Sequence, residues 1–183
     1  LTREFACPLR ITLHISNFDH RAGGFVRPIL AAPADVLERA REGRLFQASV
    51  LLAAYLIIGS VALIFYAVRR RERLPLVFGL FCLAMASYTD ALGERLLLRP
   101  LAPQVAWSDY MRLEYLSWIT AMALFLVTVR KLFPAETHLS VVRAVLVTLA
   151  IAAVAVVVLP PSVYSYVVLP GQAIAVAVGV YIA

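Results

Sequence analysis

The chain has 183 residues, 62% of them hydrophobic and 15% charged, with a mean hydropathy of +0.86 and a net charge of +6. Soluble domains run at about 45–50% apolar and about 25% charged, so a soluble globular domain is excluded. Disorder and a disulfide scaffold are excluded with it, the second because two cysteines cannot staple a chain of this length. A basic chain raises nucleic acid as a partner, but here the Lys and Arg residues stand at the edges of apolar runs, as membrane proteins place them. The composition describes an integral membrane protein with no nucleic-acid partner. A start at Leu1 and a stop at Ala183 inside an apolar run lead us to expect an internal piece of a longer protein, with no secretory signal in view.

Residues 1–32 do not read as membrane. Residues 10–16 (RITLHIS) alternate polar and apolar, the period of a half-buried strand. Residues 17–24 (NFDHRAGG) supply turn chemistry, and residues 25–30 suit a second short strand with Pro28 at an edge or bulge. Two strands cannot bury a core, so these are expected to be the last strands of a β domain. Pro33, Asp35 and Glu38 then open an amphipathic linker helix over 33–45, with Val36, Leu37, Ala40 and Leu45 as its stripe and a break at Gly43. The stripe favours a helix lying on the membrane.

Five spans are expected at 46–68, 76–98, 109–130, 141–159 and 163–183, each near the ~20 residues that a ~30 Å hydrocarbon core demands. Span one carries no charge and ends at the run RRRER, residues 69–73. Span three opens with Ser108 as its N-cap and stops before Pro134, and Tyr164 with Tyr166 suits an interfacial belt before span five. Arg69, Arg70, Arg71, Arg73, Arg130, Lys131 and Arg143 lie on one side, against Arg39, Arg41, Arg44, Arg95, Arg99 and Arg112 on the other. The dense 69–73 cluster tips that near balance towards a cytoplasmic position, leaving the amino-terminal β domain outside the cell. Arg69, Arg70, Arg71, Arg73, Arg130 and Lys131 are therefore read as topology anchors touching anionic lipid headgroups.

The strings HISNFDHRAGGFVRPI, LFQASVLLAAYLIIG, RRRERLPLVFGLFCL, ALGERLLL, RLEYLSWITAMALF and KLFPAE cover most of residues 11–136. In this order and spacing, the chain resembles the seven-transmembrane receptors with diverse intracellular signalling modules, which are bacterial sensors. The resemblance implies a periplasmic jelly-roll domain similar to carbohydrate-binding modules, seven helices in the plasma membrane, and a cytoplasmic output module. That module varies among diguanylate cyclase, histidine kinase, adenylate cyclase and phosphatase. The expected fold is thus mainly α: a helix bundle, truncated to five of seven helices over 46–183, after the closing strands of a jelly roll. The resemblance also implies a periplasmic ligand, a carbohydrate or another small molecule, and it is compatible with a homodimer.

The charges near the membrane are the best local signal. Asp90 lies roughly 20 Å along span two from Leu76, inside the core, with Glu94 and Arg95 near its boundary. A charge at that depth costs at least about 2.5 kcal/mol unless it is paired. Arg112 and Glu114 reach a similar depth in span three, so Asp90 or Glu94 with Arg112, and Arg95 with Glu114, are the expected pairs. This cluster reads either as a static clamp, the preferred reading, or as a switch that feels ligand.

His14, Asp19 and His20 lack convergent metal-ligand spacing, and a surface strand and a turn explain them. Cys7 and Cys82 are not expected to meet. Gly171, Ala175 and Gly179 have the spacing of close helix packing, and ordinary packing accounts for them. No P-loop, nucleophile elbow or kinase signature occurs, so no catalytic, cofactor or metal residue is assigned and this piece is not expected to be an enzyme. A sensory receptor is the favoured function. A small-solute transporter is the alternative; it favours repeated, broken spans with polar groups near the midplane, whereas the charges here gather towards the ends.

Overall fold

The computed structural model describes residues 32–167, 171 and 173. The expected jelly-roll strands at 10–16 and 25–30 lie outside those residues, as do Cys7, His14, Asp19 and His20. Six helices follow in order: α1 Ala34–Val68, α2 Leu74–Leu92, α3 Leu98–Leu101, α4 Trp107–Leu132, α5 Leu139–Val158 and α6 Pro161–Tyr164, with a 3-10 turn at Ser165–Val167. Among the described residues there is no strand. The fold is mainly α. Four of the helices, α1, α2, α4 and α5, are long and apolar enough to cross a membrane.

The first correction concerns the linker. The expected break at Gly43 is absent, and linker and first span form one helix of 35 residues. A mid-helix glycine costs about 1 kcal/mol relative to alanine, which strong helix formers on both sides (Ala40, Arg41, Glu42, Leu45) offset. Asp35 and Arg39 add an i,i+4 ion pair in the first turns. At 1.5 Å per residue α1 runs about 52 Å, well beyond a ~30 Å core. An unbroken helix has no joint at which residues 34–45 turn to lie along the membrane surface.

The second correction is at the end of span two. It stops at Leu92, not at 98, and residues 93–106 make an ordered connection containing the single turn α3. Gly93 caps the helix with its amide on the Thr89 carbonyl, and a side chain there would put its Cβ 2.8 Å from that same oxygen, so the cap takes glycine. Span three begins with Ala106 in the capping position, and Ser108 lies inside the first turn. It ends at Leu132, ahead of Pro134 as expected. α5 stops before Pro160 and Pro161, and Pro161 opens α6. Of the fifth span, only its first residues and the helical positions 171 and 173 are described.

Successive long helices pack as neighbours: α1 on α2, α2 on α4, α4 on α5. α1 meets α2 at two glycines. A Cβ on Gly79 would lie 2.8 Å from Leu63 and 3.1 Å from the Gly59 carbonyl, and one on Gly59 would lie 3.1 Å from the Cys82 Cβ. Small residues bring the two backbones into direct contact, the main route to tight packing where lipid offers no hydrophobic drive. Phe81 packs against Phe125, ring centres 5.8 Å apart and tilted, to join α2 to α4. The core sits where α4, α5 and α6 meet, around Tyr115, Ile119, Leu149, Val156 and Tyr164. Gly171 packs against the Trp118 indole of α4, so the fifth segment starts on the same side. Ile57, Val61 and Ile64 of α1 and Ile151 and Val154 of α5 stay exposed, the apolar surface a bilayer covers.

The connections fall at two ends. α1 starts at one, called here the linker end, which also holds residues 93–106 and 159–167. The other, the arginine end, holds residues 69–73 and 133–138.

Candidate functional site: the polar cap at the linker end

Asp90 is the deepest charged residue of the described chain, 5% exposed on the last turn of α2. Its two oxygens accept the backbone N–H groups of Leu97, at 3.0 Å, and Leu98, at 2.8 Å. The carboxylate thereby ties the start of α3 back to α2. Charged acceptors make the stronger class of hydrogen bond, and here they satisfy amides at a helix start that would otherwise lack partners. The chain has to reverse sharply to bring them there, and Arg95 takes a left-handed backbone angle, φ 54°, to do so.

Three more contacts fasten the connection. The Arg95 guanidinium lies 4.4 Å from the centre of the Tyr110 ring on α4, a cation–π contact. The Tyr110 hydroxyl donates to the Ala102 carbonyl at 2.8 Å. Glu94 reaches the other way, to Arg44 of α1, with Oε1 and Nε 3.6 Å apart. Arg112 faces Asp109 on its own helix at 3.4 Å, and its Nε is buried with no hydrogen-bond partner. Tyr164 is fully buried beside them, edge-on to Tyr115 at 5.2 Å, with its hydroxyl donating to the Ser108 carbonyl at 3.5 Å.

The residues singled out from sequence thus gather at this end, but with partners other than those expected. Asp90 holds main-chain amides, Glu94 holds Arg44, Arg95 holds Tyr110 and Arg112 holds Asp109. Glu114 is engaged as well. The reason is the early end of α2. Glu94 and Arg95 sit in a turn, not on a helix face, so their directions follow the turn, and Asp90 takes the amides of Leu97 and Leu98 beyond it. Sequence reasoning missed Tyr110, read Ser108 as a cap and Tyr164 as an interfacial anchor, and counted Arg44 only towards topology. The available signal was a buried-type tyrosine in the first turn of a span, which needs an acceptor for its hydroxyl.

At the arginine end, Arg69, Arg70, Arg71 and Arg73 are exposed, and Arg69 closes α1 with its amide on the Phe65 carbonyl. Lys131 is exposed too. Arg130 is turned inward: its Nη1 donates to the Thr137 carbonyl at 2.5 Å and hydroxyl at 3.0 Å, and to the Pro134 carbonyl. It holds the connection between α4 and α5.

Two clefts run along the seam of α1 and α2. One, at the linker end, has a volume of about 440 Å³, with Arg44, Gln47, Tyr88 and Glu94 in its wall. The other, of about 610 Å³ towards the arginine end, is lined by apolar groups such as Val61, Phe65, Pro75 and Leu132. Among the described residues no group of three His, Cys, Asp or Glu stands close enough to hold a metal ion. The chemistry this end offers is ion pairing and amide binding.

A family model described as 7TM diverse intracellular signalling matches residues 45–183. No curated protein and no solved structure matches the chain.

Proposed function

This chain belongs to the 7TM diverse intracellular signalling family, and on that premise we propose that it is the membrane part of a bacterial sensory receptor. A β domain outside the cell, ending near residue 32, binds a small molecule such as a carbohydrate. The helix bundle passes the change to an output module in the cytoplasm. The linker end then faces outward and the 69–73 loop inward, in the plasma membrane.

The observation that carries this reading is the continuity of α1. A single helix from Ala34 to Val68 joins the amino-terminal region to the arginine end with no joint between. Its glycine contact with α2 and the Arg44–Glu94 pair make any shift of α1 felt by the neighbouring helix and by the 93–106 connection. A receptor needs a ligand with different affinity for two arrangements of such a bundle, and it needs no route through the membrane. α1, α2, α4 and α5 are unbroken helices, which lends no support to the transporter alternative.

Two Gly residues inserted after Ala40 test this. In the full-length protein they should abolish the response to ligand while expression and membrane insertion stay normal. An unchanged response would overturn the lever role of α1. Orientation is checked separately by reporter fusions: one after residue 73 should be active in the cytoplasm, and one after residue 101 only outside it.

A further inference from the structure

The linker-end cleft between α1 and α2 is sorted along its length. Its lining runs from Leu51 and Met85, further into the apolar runs of the two helices, to Arg44, Gln47, Leu92 and Glu94 towards the linker end. Leu51 stands about 10 Å along α1 from Arg44. α1 carries no charge from residue 46 to 68, so Arg44 marks where the hydrocarbon ends and headgroups begin. The cleft therefore has a polar mouth at headgroup depth and an apolar floor at acyl-chain depth.

Its one ion pair is only partly closed. Arg44 and Glu94 are 3.6 Å apart, with side chains 47% and 31% exposed. A half-exposed contact of that length contributes little by itself, and it leaves most of the five guanidinium donors and of the carboxylate lone pairs unused. An occupant that satisfies both groups must carry an anion and an N–H-bearing cation a short distance apart, with an apolar tail. We propose that this cleft binds a phospholipid with a primary-amine headgroup, its phosphate on Arg44, its ammonium on Glu94 and its chains over Leu51 and Met85. The phosphate and ammonium of phosphatidylethanolamine are separated by two carbons, which matches the side-by-side charges. A choline headgroup has no N–H to donate to Glu94. A glycerol headgroup has no cation, and it sets its phosphate against the carboxylate unrelieved. The lipid bridges α1 and the 93–106 connection, and so adds to the contact between them. This holds whatever the bundle signals.

Native mass spectrometry of the full-length protein tests the assignment. The unmodified protein is offered phosphatidylethanolamine, its mono- and dimethylated forms, phosphatidylcholine and phosphatidylglycerol at equal concentration. Retention should hold through the dimethylated form, which keeps one N–H, and fall by about tenfold at choline, the size of one charged hydrogen bond. Phosphatidylglycerol should be retained no better than phosphatidylcholine. Glu94→Gln should flatten the series, and Arg44→Gln should lower retention of every phospholipid. The methylation series needs no variant, so a folding failure does not blunt the test. Equal retention along the series overturns the proposal. So does displacement of the lipid by soluble phosphoethanolamine at matched concentration, which would make the ligand a free small molecule.

Discussion

Asp90 and Arg130 stand near opposite ends of the bundle and turn their charges onto main-chain atoms, whereas Arg69, Arg70, Arg71 and Arg73 keep theirs exposed. The contrast follows the connections themselves. Residues 93–106 and 133–138 are long enough to leave several amides and carbonyls without helical partners, and a charge at the adjoining helix end satisfies them. The 69–73 loop is a tight turn, with the Glu72 amide on the Arg69 carbonyl, and it has little main chain left to satisfy. Its arginines are free to meet headgroups. A charge at the end of a membrane helix thus takes its role from the backbone beside it: where amides or carbonyls are orphaned it becomes a staple, and where they are not it faces lipid and water.

The sharpest way to break this comparison is at Asp90. Asp90→Ala should cost about 2–4 kcal/mol of stability, because two amides lose a charged acceptor in a part-buried site. Asp90→Asn should cost roughly half of that, since one carbonyl oxygen remains to accept while the amide nitrogen faces a donor. Denaturation of the purified protein in detergent measures both. A cost below about 0.5 kcal/mol for alanine would remove Asp90 from the role of staple.

The two kinds of arginine separate next. Arg130→Ala should lower stability by about 1–2 kcal/mol by releasing the carbonyls of Pro134 and Thr137, whereas Arg70→Ala should change it by less than about 0.5 kcal/mol. The order should reverse in a topology assay: removing arginines from the 69–73 loop should raise the fraction of inverted molecules, and Arg130→Ala should not. Equal stability losses at 70 and 130 would erase the distinction between the two connections.

The smallest effect belongs to the cation–π contact. Arg95→Ala should cost about 0.5–1 kcal/mol, and Tyr110→Phe about the same through its lost hydrogen bond to Ala102, with the ring contact intact. In a double-mutant cycle of Arg95→Ala with Tyr110→Leu the coupling should be positive and of that size. A coupling near zero would show that Arg95 is held by its turn alone.

The reading of Asp90 shows where sequence reasoning holds and where it stops. Its depth in an apolar run, and hence its need of a partner, follows from chain position and the cost of charge in hydrocarbon. The partner does not. It lies seven and eight residues ahead on a turn that exists because Gly93 ends α2 and Arg95 takes a positive φ. Pairing charges by depth treated span two as helix through residue 98, and so overlooked the amides of the turn.

The sequence alone determined the membrane class, four long apolar helices in their order, the proline stops after α4 and α5, and the family. Each depends on composition, on local backbone chemistry or on the fixed thickness of a bilayer, and all are written in consecutive residues. Only the tertiary structure decided that α1 is unbroken, that Gly59 and Gly79 bring two backbones together, and which partner each charge takes. Those outcomes depend on what stands opposite a residue in space. A helix propensity of about 1 kcal/mol, or a choice between two nearby partners, is small enough for that surrounding to settle.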